Sequence, residues 1–153
     1  MKKKILIIQG SSLKKINIKT DTSFFLGLEA QRRRYQIYYY EPKELSFING
    51  KVTALCSKIK FEDNPKQPVK VLSKTVLNLL KAKLILIRSE PPFNQQYINT
   101  TFILEHISKK VRIINYPKAL REVPEKLFSL RLTKFMPKTL ISENLNEIKS
   151  FLK

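Results

Sequence analysis

The sequence contains few of the residues from which cofactor and metal sites are usually built. It has three glycines and one cysteine in 153 residues. Gly10 follows the first apolar run, but the further glycines that let a backbone approach a pyrophosphate do not follow it, so NAD binding is disfavoured. The sequence also lacks a glycine-rich phosphate loop, a cluster of metal ligands and a nucleophile with an accompanying base. These absences argue against a complete catalytic site within these residues.

Cysteines and long apolar runs are scarce as well. Because Cys56 stands alone, an intramolecular disulfide is excluded, and this cysteine is most simply a small buried hydrophobe in a reducing compartment. No apolar run approaches the roughly 20 residues of a membrane span. Residues 5–8 are too few for the apolar core of a signal peptide. We therefore predict a cytoplasmic protein that does not enter a membrane.

Acidic residues are strongly outnumbered. The chain has 30 Lys and Arg against 12 Asp and Glu, a formal net charge of +18. Taken alone, this balance indicates a nucleic-acid partner. The basic residues are scattered along the chain, however, and the aromatic residues do not alternate with them in a base-stacking pattern. We expect weak nonspecific binding and no specific nucleic-acid partner.

The apolar pattern predicts alternating strands and helices. The strands are predicted at residues 4–9, 36–41, 83–88 and 112–115, and the longer helices at residues 23–34 and 94–110. The first helix would be capped by Asp21 or Thr22. Three consecutive arginines, Arg32, Arg33 and Arg34, fall in its last turn, where cations complement the helix dipole, so a structural role is favoured for them.

The remaining segments carry weaker patterns. The pair Asn49-Gly50 between residues 45–48 and 52–57 predicts a β-hairpin. Residues 58–70 are predicted as a loop or weak edge strand, and residues 71–81 as a helix. Short helices are predicted near residues 117–120 and 125–132, and an amphipathic helix at residues 144–152.

The order of these elements indicates an α/β protein. Strand–helix–strand units imply parallel pairing with right-handed crossovers, so we predict a Rossmann-like three-layer α/β/α arrangement with a mostly parallel sheet. In open α/β sheets, ligands bind beyond the carboxyl ends of the strands. Arg88 ends the apolar run 84–87, and Pro91 and Pro92, which follow it, are predicted to end this strand. Arg88 is therefore placed where a fixed cation would meet an anionic substrate.

Eight short motifs, each weak alone, occur together in one order. The first four are 16–24 (INIKTDTSF), 28–35 (LEAQRRRY), 47–50 (FING) and 87–93 (IRSEPPF). The second four are Tyr97 with 101–105 (TFILE), 114–117 (INYP), 120–122 (LRE) and 125–128 (EKLF). In this order they resemble the N-terminal part of bacterial glutathione synthetases, from about residue 5 to the C-terminus.

The resemblance implies an activity that two domains share. That family joins γ-glutamylcysteine to glycine with ATP and Mg²⁺ through an acyl phosphate. Residues 1–122 would be the substrate-binding, pre-ATP-grasp domain, and residues 123–153 a linker and the start of an ATP-grasp domain. In the family, the ATP-grasp domain carries the metal-binding carboxylates, the glycine-rich lid and most nucleotide contacts.

The same resemblance sets expectations for the 153-residue chain by itself. We expect it to have no ligase activity, to bind neither ATP nor Mg²⁺ tightly, and to expose an apolar face that promotes association. The partners that the resemblance suggests are the family's substrates, a separate ATP-grasp half and a homo-oligomer. The alternative is a non-catalytic remnant or a module repurposed to bind a partner or peptide.

The resemblance also implies site residues. Substrate binding would fall to Arg88, Asp21, Thr22 and Ser23, because a guanidinium can clamp a carboxylate and a helix start offers backbone donors. Lys126 would reach the ATP phosphates. The alternatives are structural: Arg88 could pair with an acid such as Glu90, and residues 21–23 could be no more than a helix cap. His106 is interpreted as an ordinary surface or boundary histidine.

Two departures from the family pattern bear on these residues. Val123 and Pro124 precede the EKLF motif where relatives often carry a polar residue, and proline fixes the backbone that presents Lys126. Ser89 and Glu90 stand where relatives carry Lys-Asp, which removes a positive charge beside Arg88 and keeps the acid.

Overall fold

The computed structural model describes residues 4–90 and 92–153, and within the second range it leaves out the side chains of Glu125 and Lys126. The strand-ending role predicted for Pro91 and the ATP contact predicted for Lys126 therefore lie outside what the structure describes. The chain divides into two compact units, Met1–Glu122 and Val123–Lys153.

Among the described residues, the first unit is built on a sheet of seven strands. They are β1 (Lys4–Gly10), β2 (Tyr35–Tyr40), β3 (Leu45–Ile48), β4 (Lys51–Phe61), β5 (Val69–Asn78), β6 (Leu84–Arg88) and β7 (Arg112–Ile114). From one edge the order is β7, β6, β1, β2 and β4. Strands β2 and β3 share one edge of β4, and β5 pairs with its other edge.

Strand direction is nearly uniform in this sheet. The pairs β1–β2, β1–β6 and β6–β7 are parallel, whereas β4 runs antiparallel to β2, β3 and β5. Six of the seven strands among the described residues therefore point the same way. The predicted mostly parallel sheet is confirmed.

Two helices cover the opposite faces of the sheet. Helix α1 (Thr22–Arg32) places Phe24 in a core with Ile8, Ile37 and Phe61. Helix α2 (Gln95–Glu105) places Leu104 in a second core on the other face, with side chains that include Ile7 and Ile85. Consecutive β1 side chains alternate between these cores because strand side chains alternate between faces. The result is the predicted three-layer α/β/α arrangement.

The predicted hairpin is present, with β3 and β4 joined at Asn49 and Gly50. Both residues have positive φ, 47° and 77°, as the two central positions of a type I′ turn require. Strand β4 is longer than predicted and continues to Phe61. The segment predicted as a loop or edge strand is thus divided between β4, a connection and the start of β5.

The prediction of a helix at residues 71–81 is wrong. Residues Val69–Asn78 form strand β5, and only Leu79–Lys81 makes a single 3₁₀ turn. Nine β5 residues pair with β4, and β-branched residues such as Val71, Thr75 and Val76 suit a strand. Most β5 side chains are exposed, so the segment lacks the alternating buried face from which a strand is recognised in a sequence.

Three short helices complete the chain. Helix α3 (Pro117–Glu122) ends the first unit, and the second unit contains α4 (Glu125–Phe128) and α5 (Leu145–Phe151). A 3₁₀ segment, Ser129–Phe135, follows α4, and the Asn144 side chain caps α5 by accepting from the Asn146 N–H. Among the described residues, no helix is long and apolar enough to cross a membrane.

Candidate functional site

The candidate site lies where β1 and β6 end beside the start of α1. Gly10 and Arg88 are paired neighbours at the ends of these parallel strands, so both chains leave the sheet at the same place. A cavity of about 180 Å³ opens there. Its position beyond the carboxyl ends of parallel strands is where open α/β sheets bind ligands.

The lining of this cavity is mainly polar and carries charges of both signs. Twelve residues line it: Ser11, Ser12, Lys15, Ile16, Asn17, Thr20, Asp21, Thr22, Ser23, Tyr39, Arg88 and Glu90. The four substrate-binding residues expected from the resemblance are all in this set. The structure therefore brings together Arg88 from β6 and residues 21–23 from the start of α1, although Ser23 and Arg88 are separated by 65 positions in the sequence.

Arg88 is turned toward the start of helix α1. Its Nε donates to the Ser23 hydroxyl oxygen over 3.5 Å, at the long limit of a hydrogen bond. Among the described residues, no carboxylate lies within ion-pair distance of its guanidinium, and Glu90 is not its partner. The cation is thus held weakly and keeps donors available for an anionic group.

The helix cap is formed as predicted by Asp21. Its Oδ1 accepts from the Ser23 N–H at 2.6 Å, which satisfies one of the free backbone donors of the first turn. Ser23 is itself buried. Asp21 therefore has a structural role that is visible in the geometry, and its second carboxylate oxygen has no hydrogen-bond partner in the described part of the chain.

Tyr39 forms part of the wall of the cavity, which the sequence did not indicate. Its hydroxyl donates to the Ser11 carbonyl at 2.7 Å and fixes the loop that follows β1. Burial raises the pKa of Tyr39 well above its usual value, and the charge of Asp21 acts in the same direction. A Cβ at Gly10 would collide with the Tyr39 ring and hydroxyl, so glycine at this position makes room for the tyrosine.

A chain of buried hydrogen bonds joins the ends of β1, β2 and β6. The Gln9 side chain is fully buried, accepts from the Tyr40 hydroxyl at 2.8 Å and donates through Nε2 to the Ser89 hydroxyl at 3.0 Å. Ser89 directly follows Arg88. The end of β6, and with it the backbone that carries the arginine, is therefore tied to β1 and β2.

Sequence reasoning missed Lys15, Tyr39 and the Ser11-Ser12 loop. The position of the Ser11-Ser12 loop could have been inferred, because it directly follows β1. Since β1 lies beside β6 in the sheet, this loop must lie near Arg88. Tyr39 is harder to find, since three tyrosines in a row do not reveal which one faces the site. Only Tyr39 among Tyr38, Tyr39 and Tyr40 lies on the α1 side of the sheet.

Other residues considered from the sequence lie elsewhere or have structural partners. The His106 ring packs edge-on against Phe47, and Cys56 is fully buried in the core that contains Leu104, where burial raises the pKa of its thiol to about 12. Arg32 and Arg33 pair with Glu29 on the exposed side of α1. Among the described residues, no group of three His, Cys, Asp or Glu side chains is arranged to hold a metal ion.

The comparisons with known proteins agree with the geometry. The family model for the N-terminal domain of prokaryotic glutathione synthetase matches residues 4–121. A glutathione synthetase from Mesorhizobium japonicum is 38% identical over 153 residues, which is all of this chain and 49% of that protein. The glutathione synthetase of Buchnera aphidicola is 38% identical over 143 residues, covering 93% of this chain and 45% of that protein.

A third relative shows the same pattern of coverage. The glutathione synthetase of Escherichia coli O127:H6 is 38% identical over 137 residues, 89% of this chain and 43% of that protein. The chain thus spans about half the length of the curated relatives that it matches. We conclude that the chain belongs to the prokaryotic glutathione synthetase family and corresponds to the N-terminal domain of its members.

Proposed function

We propose that this chain is the substrate-binding part of a glutathione synthetase, the ligase that joins γ-glutamylcysteine to glycine with ATP and Mg²⁺. The observation that carries the proposal is the cavity between β1, β6 and α1, together with the family match over residues 4–121. A cytoplasmic location agrees with this role, since that compartment supplies ATP and keeps the cysteinyl thiol of the substrate reduced.

The charges that line the cavity suit a zwitterionic peptide. Arg88 and Lys15 are cations, and Asp21 and Glu90 are carboxylates. A γ-glutamyl group ends in an α-carboxylate and an α-ammonium on one carbon, so it needs both signs of charge close together. In the proposed complex, Arg88 donates two hydrogen bonds to the α-carboxylate, and the free oxygen of Asp21 accepts from the ammonium.

The start of helix α1 adds neutral donors to this arrangement. The hydroxyls of Thr22 and Ser23, and the backbone N–H groups of the first turn, are suited to a carboxylate because the positive end of the helix dipole lies there. Ser23 would exchange its long contact with Arg88 for the ligand. These residues would hold the dipeptide in place, and positioning alone contributes strongly to a reaction between two bound partners.

ATP and Mg²⁺ would be bound mainly outside the residues described here. Mg²⁺ is held through oxygen ligands, chiefly carboxylates, and the described residues bring no suitable group of three together. We therefore assign no step of the reaction to a metal in this unit. An ATP contact by Lys126, and the identity of Val123–Lys153 as the start of an ATP-grasp domain, are parts of the proposal.

Calorimetric titration of the 153-residue chain with γ-glutamylcysteine tests the proposal. We expect binding to weaken by roughly 10- to 100-fold in Arg88→Gln, because a hydrogen bond to a charged group contributes about 1.5–3 kcal/mol. Arg88→Lys keeps the charge but loses the two parallel hydrogen bonds of a guanidinium. Its affinity should therefore lie between that of the unmodified chain and that of Arg88→Gln.

Arg112→Gln is the matched control for this titration. Arg112 begins β7 beside Leu84, so it lies at the opposite end of the parallel strands from Arg88, and it is exposed. Equal losses in both arginine variants, or no binding by the unmodified chain at millimolar ligand, would count against a substrate site in this cavity. Glutathione formed by the purified 153-residue chain would contradict the expectation that catalysis needs a second domain.

A further inference from the structure

Strand β5 offers an unpaired edge, and this feature is independent of the cavity at the strand ends. Nine residues of β5 pair with β4, yet no strand among the described residues pairs with its other edge. The strand is ten residues long. An edge of this length presents a row of backbone donors and acceptors that can pair with another chain.

The exposed side chains along this edge include apolar ones. Val76 is 66% exposed and lies directly opposite Leu55 of β4, which is 41% exposed. Leu72, at the shift in register between β4 and β5, is also exposed. The shift divides β5, and the regular part that a partner strand could extend is residues 73–78.

The charged side chains of β5 itself are all basic. Strand β5 contains Lys70 and Lys74 and no acidic residue, and Lys58 lies across from Ser73. Among the described residues, none of these lysines has an ion-pair partner. Glu41 and Glu44 line a shallow cavity with Lys74, but Glu41 is paired with Lys43 at 3.1 Å.

We infer that the β5 edge binds an extended, acidic segment of a partner protein by strand addition. Lys74 and Val76 lie two positions apart and therefore face the same side of the sheet. The bound segment would carry a carboxylate opposite Lys74 and an apolar side chain opposite Val76, and its backbone would pair with residues 73–78. A second copy of this chain is a poor occupant because its β5 brings further lysines and each copy carries a net charge of +18.

A labelled heptapeptide, Thr-Val-Thr-Glu-Thr-Val-Thr, provides the probe. Its central glutamate has a valine two positions away on each side, so it can pair with β5 in either strand direction. The comparison peptide has lysine in place of glutamate. In fluorescence anisotropy at low salt, we expect the glutamate peptide to bind up to about 5-fold more tightly, because it gains an exposed ion pair with Lys74 that the lysine peptide cannot form.

Reversal of the charge at one residue makes this test specific. In Lys74→Glu the preference should reverse and the lysine peptide should bind better. Lys109→Glu makes the same change in net charge outside β5 and should leave the preference for the glutamate peptide unchanged. A further peptide is N-methylated on every residue, and strand addition predicts that it does not bind, because it has no N–H left to pair with β5 in either strand direction.

Three results would overturn the inference. The two peptides could bind equally, or Lys74→Glu and Lys109→Glu could weaken the glutamate peptide to the same extent, which would show an effect of net charge alone. Light scattering could instead show a dimer that Val76→Asp dissociates, and a second copy of the chain would then occupy the edge. Failure of any of these tests leaves the proposal for the strand-end cavity intact, because the calorimetric titration of Arg88→Gln tests that cavity separately.

Discussion

At the scale of single residues, Gln9 shows how buried polarity is used to hold the site. Among the described residues, no buried side-chain nitrogen or oxygen lacks a hydrogen-bond partner. Gln9 meets this condition only through Tyr40 and Ser89, which belong to other strands or to the loop after one. An unpaired buried amide is costly, so the three side chains specify how β1, β2 and β6 end relative to one another.

The Tyr40→Phe variant tests the contribution of this hydrogen-bond chain. The substitution leaves the Gln9 Oε1 atom buried without its donor, and we expect a loss of about 1–3 kcal/mol in the free energy of unfolding. Urea denaturation followed by circular dichroism would measure it. Tyr38→Phe is the control, because Tyr38 lies on the same strand and face and its hydroxyl has no hydrogen bond in the described structure. Equal losses in the two variants would show that the hydrogen bond is not what matters.

Local residue roles could be predicted from the sequence, whereas roles that depend on register could not. The Asp21 cap acts on Ser23, two positions away, so a short stretch of sequence contains both partners. Gln9 and Tyr40 are 31 positions apart, and only the pairing of β1 with β2 brings them together. The grouping of Arg88 with residues 21–23 was expected from the resemblance, while Lys15 and Tyr39 became visible only in the folded chain.

At the scale of elements, the packing of α1 against the sheet depends on the absence of a side chain at Gly27. Gly27 is buried in the middle of α1, and a Cβ there would collide with the ring of Phe61. Phe61 in turn packs edge-on against Phe24, with 5.5 Å between ring centroids. The close approach of helix and strand therefore needs glycine, although glycine normally weakens a helix interior.

The Gly27→Ala variant should therefore destabilise the protein. In an unconstrained helix the same change stabilises by about 0.8–1 kcal/mol, but overpacking a core typically costs about 1–3 kcal/mol. Chemical denaturation of Gly27→Ala, Phe61→Leu and the double variant would separate the two effects. We expect the smaller leucine side chain in place of Phe61 to relieve the clash, so that alanine is tolerated better in the double variant than alone. A stabilised single variant would show that α1 shifts without cost.

The elements also show where pattern reasoning stops. Strand β1 and helix α1 could be predicted because each buries apolar side chains, although α1 ends at Arg32, two residues before its predicted end, and Arg34 lies outside it with a positive φ. Strand β5 has almost no buried face, and its conformation is maintained by backbone pairing with β4, which no local pattern reveals. Its outer edge pairs with no strand among the described residues and is the edge assigned to the proposed partner.

At the scale of the whole molecule, the two units differ in how they are stabilised. Both hydrophobic cores consist of residues from the first unit. The second unit has no buried large side chain among those described, and most of its large apolar residues are exposed, including Phe135 at 74% and Leu152 at 79%. A unit that buries so little apolar surface gains little from the hydrophobic effect.

Removal of residues 123–153 tests this difference between the units. Because the cores lie in the first unit, we expect the free energy of unfolding of that unit to change by less than about 1 kcal/mol. Fluorescence of a hydrophobic dye, and self-association measured by light scattering, should both fall when the exposed apolar side chains are removed. In the full chain, the double variant Phe135→Ser with Leu132→Ser should also lower dye binding. Lys134→Ser is the control and should leave dye binding unchanged. A large loss of stability on removal would instead assign the second unit a structural role in the first. Unchanged dye binding would show that its apolar side chains are covered in solution.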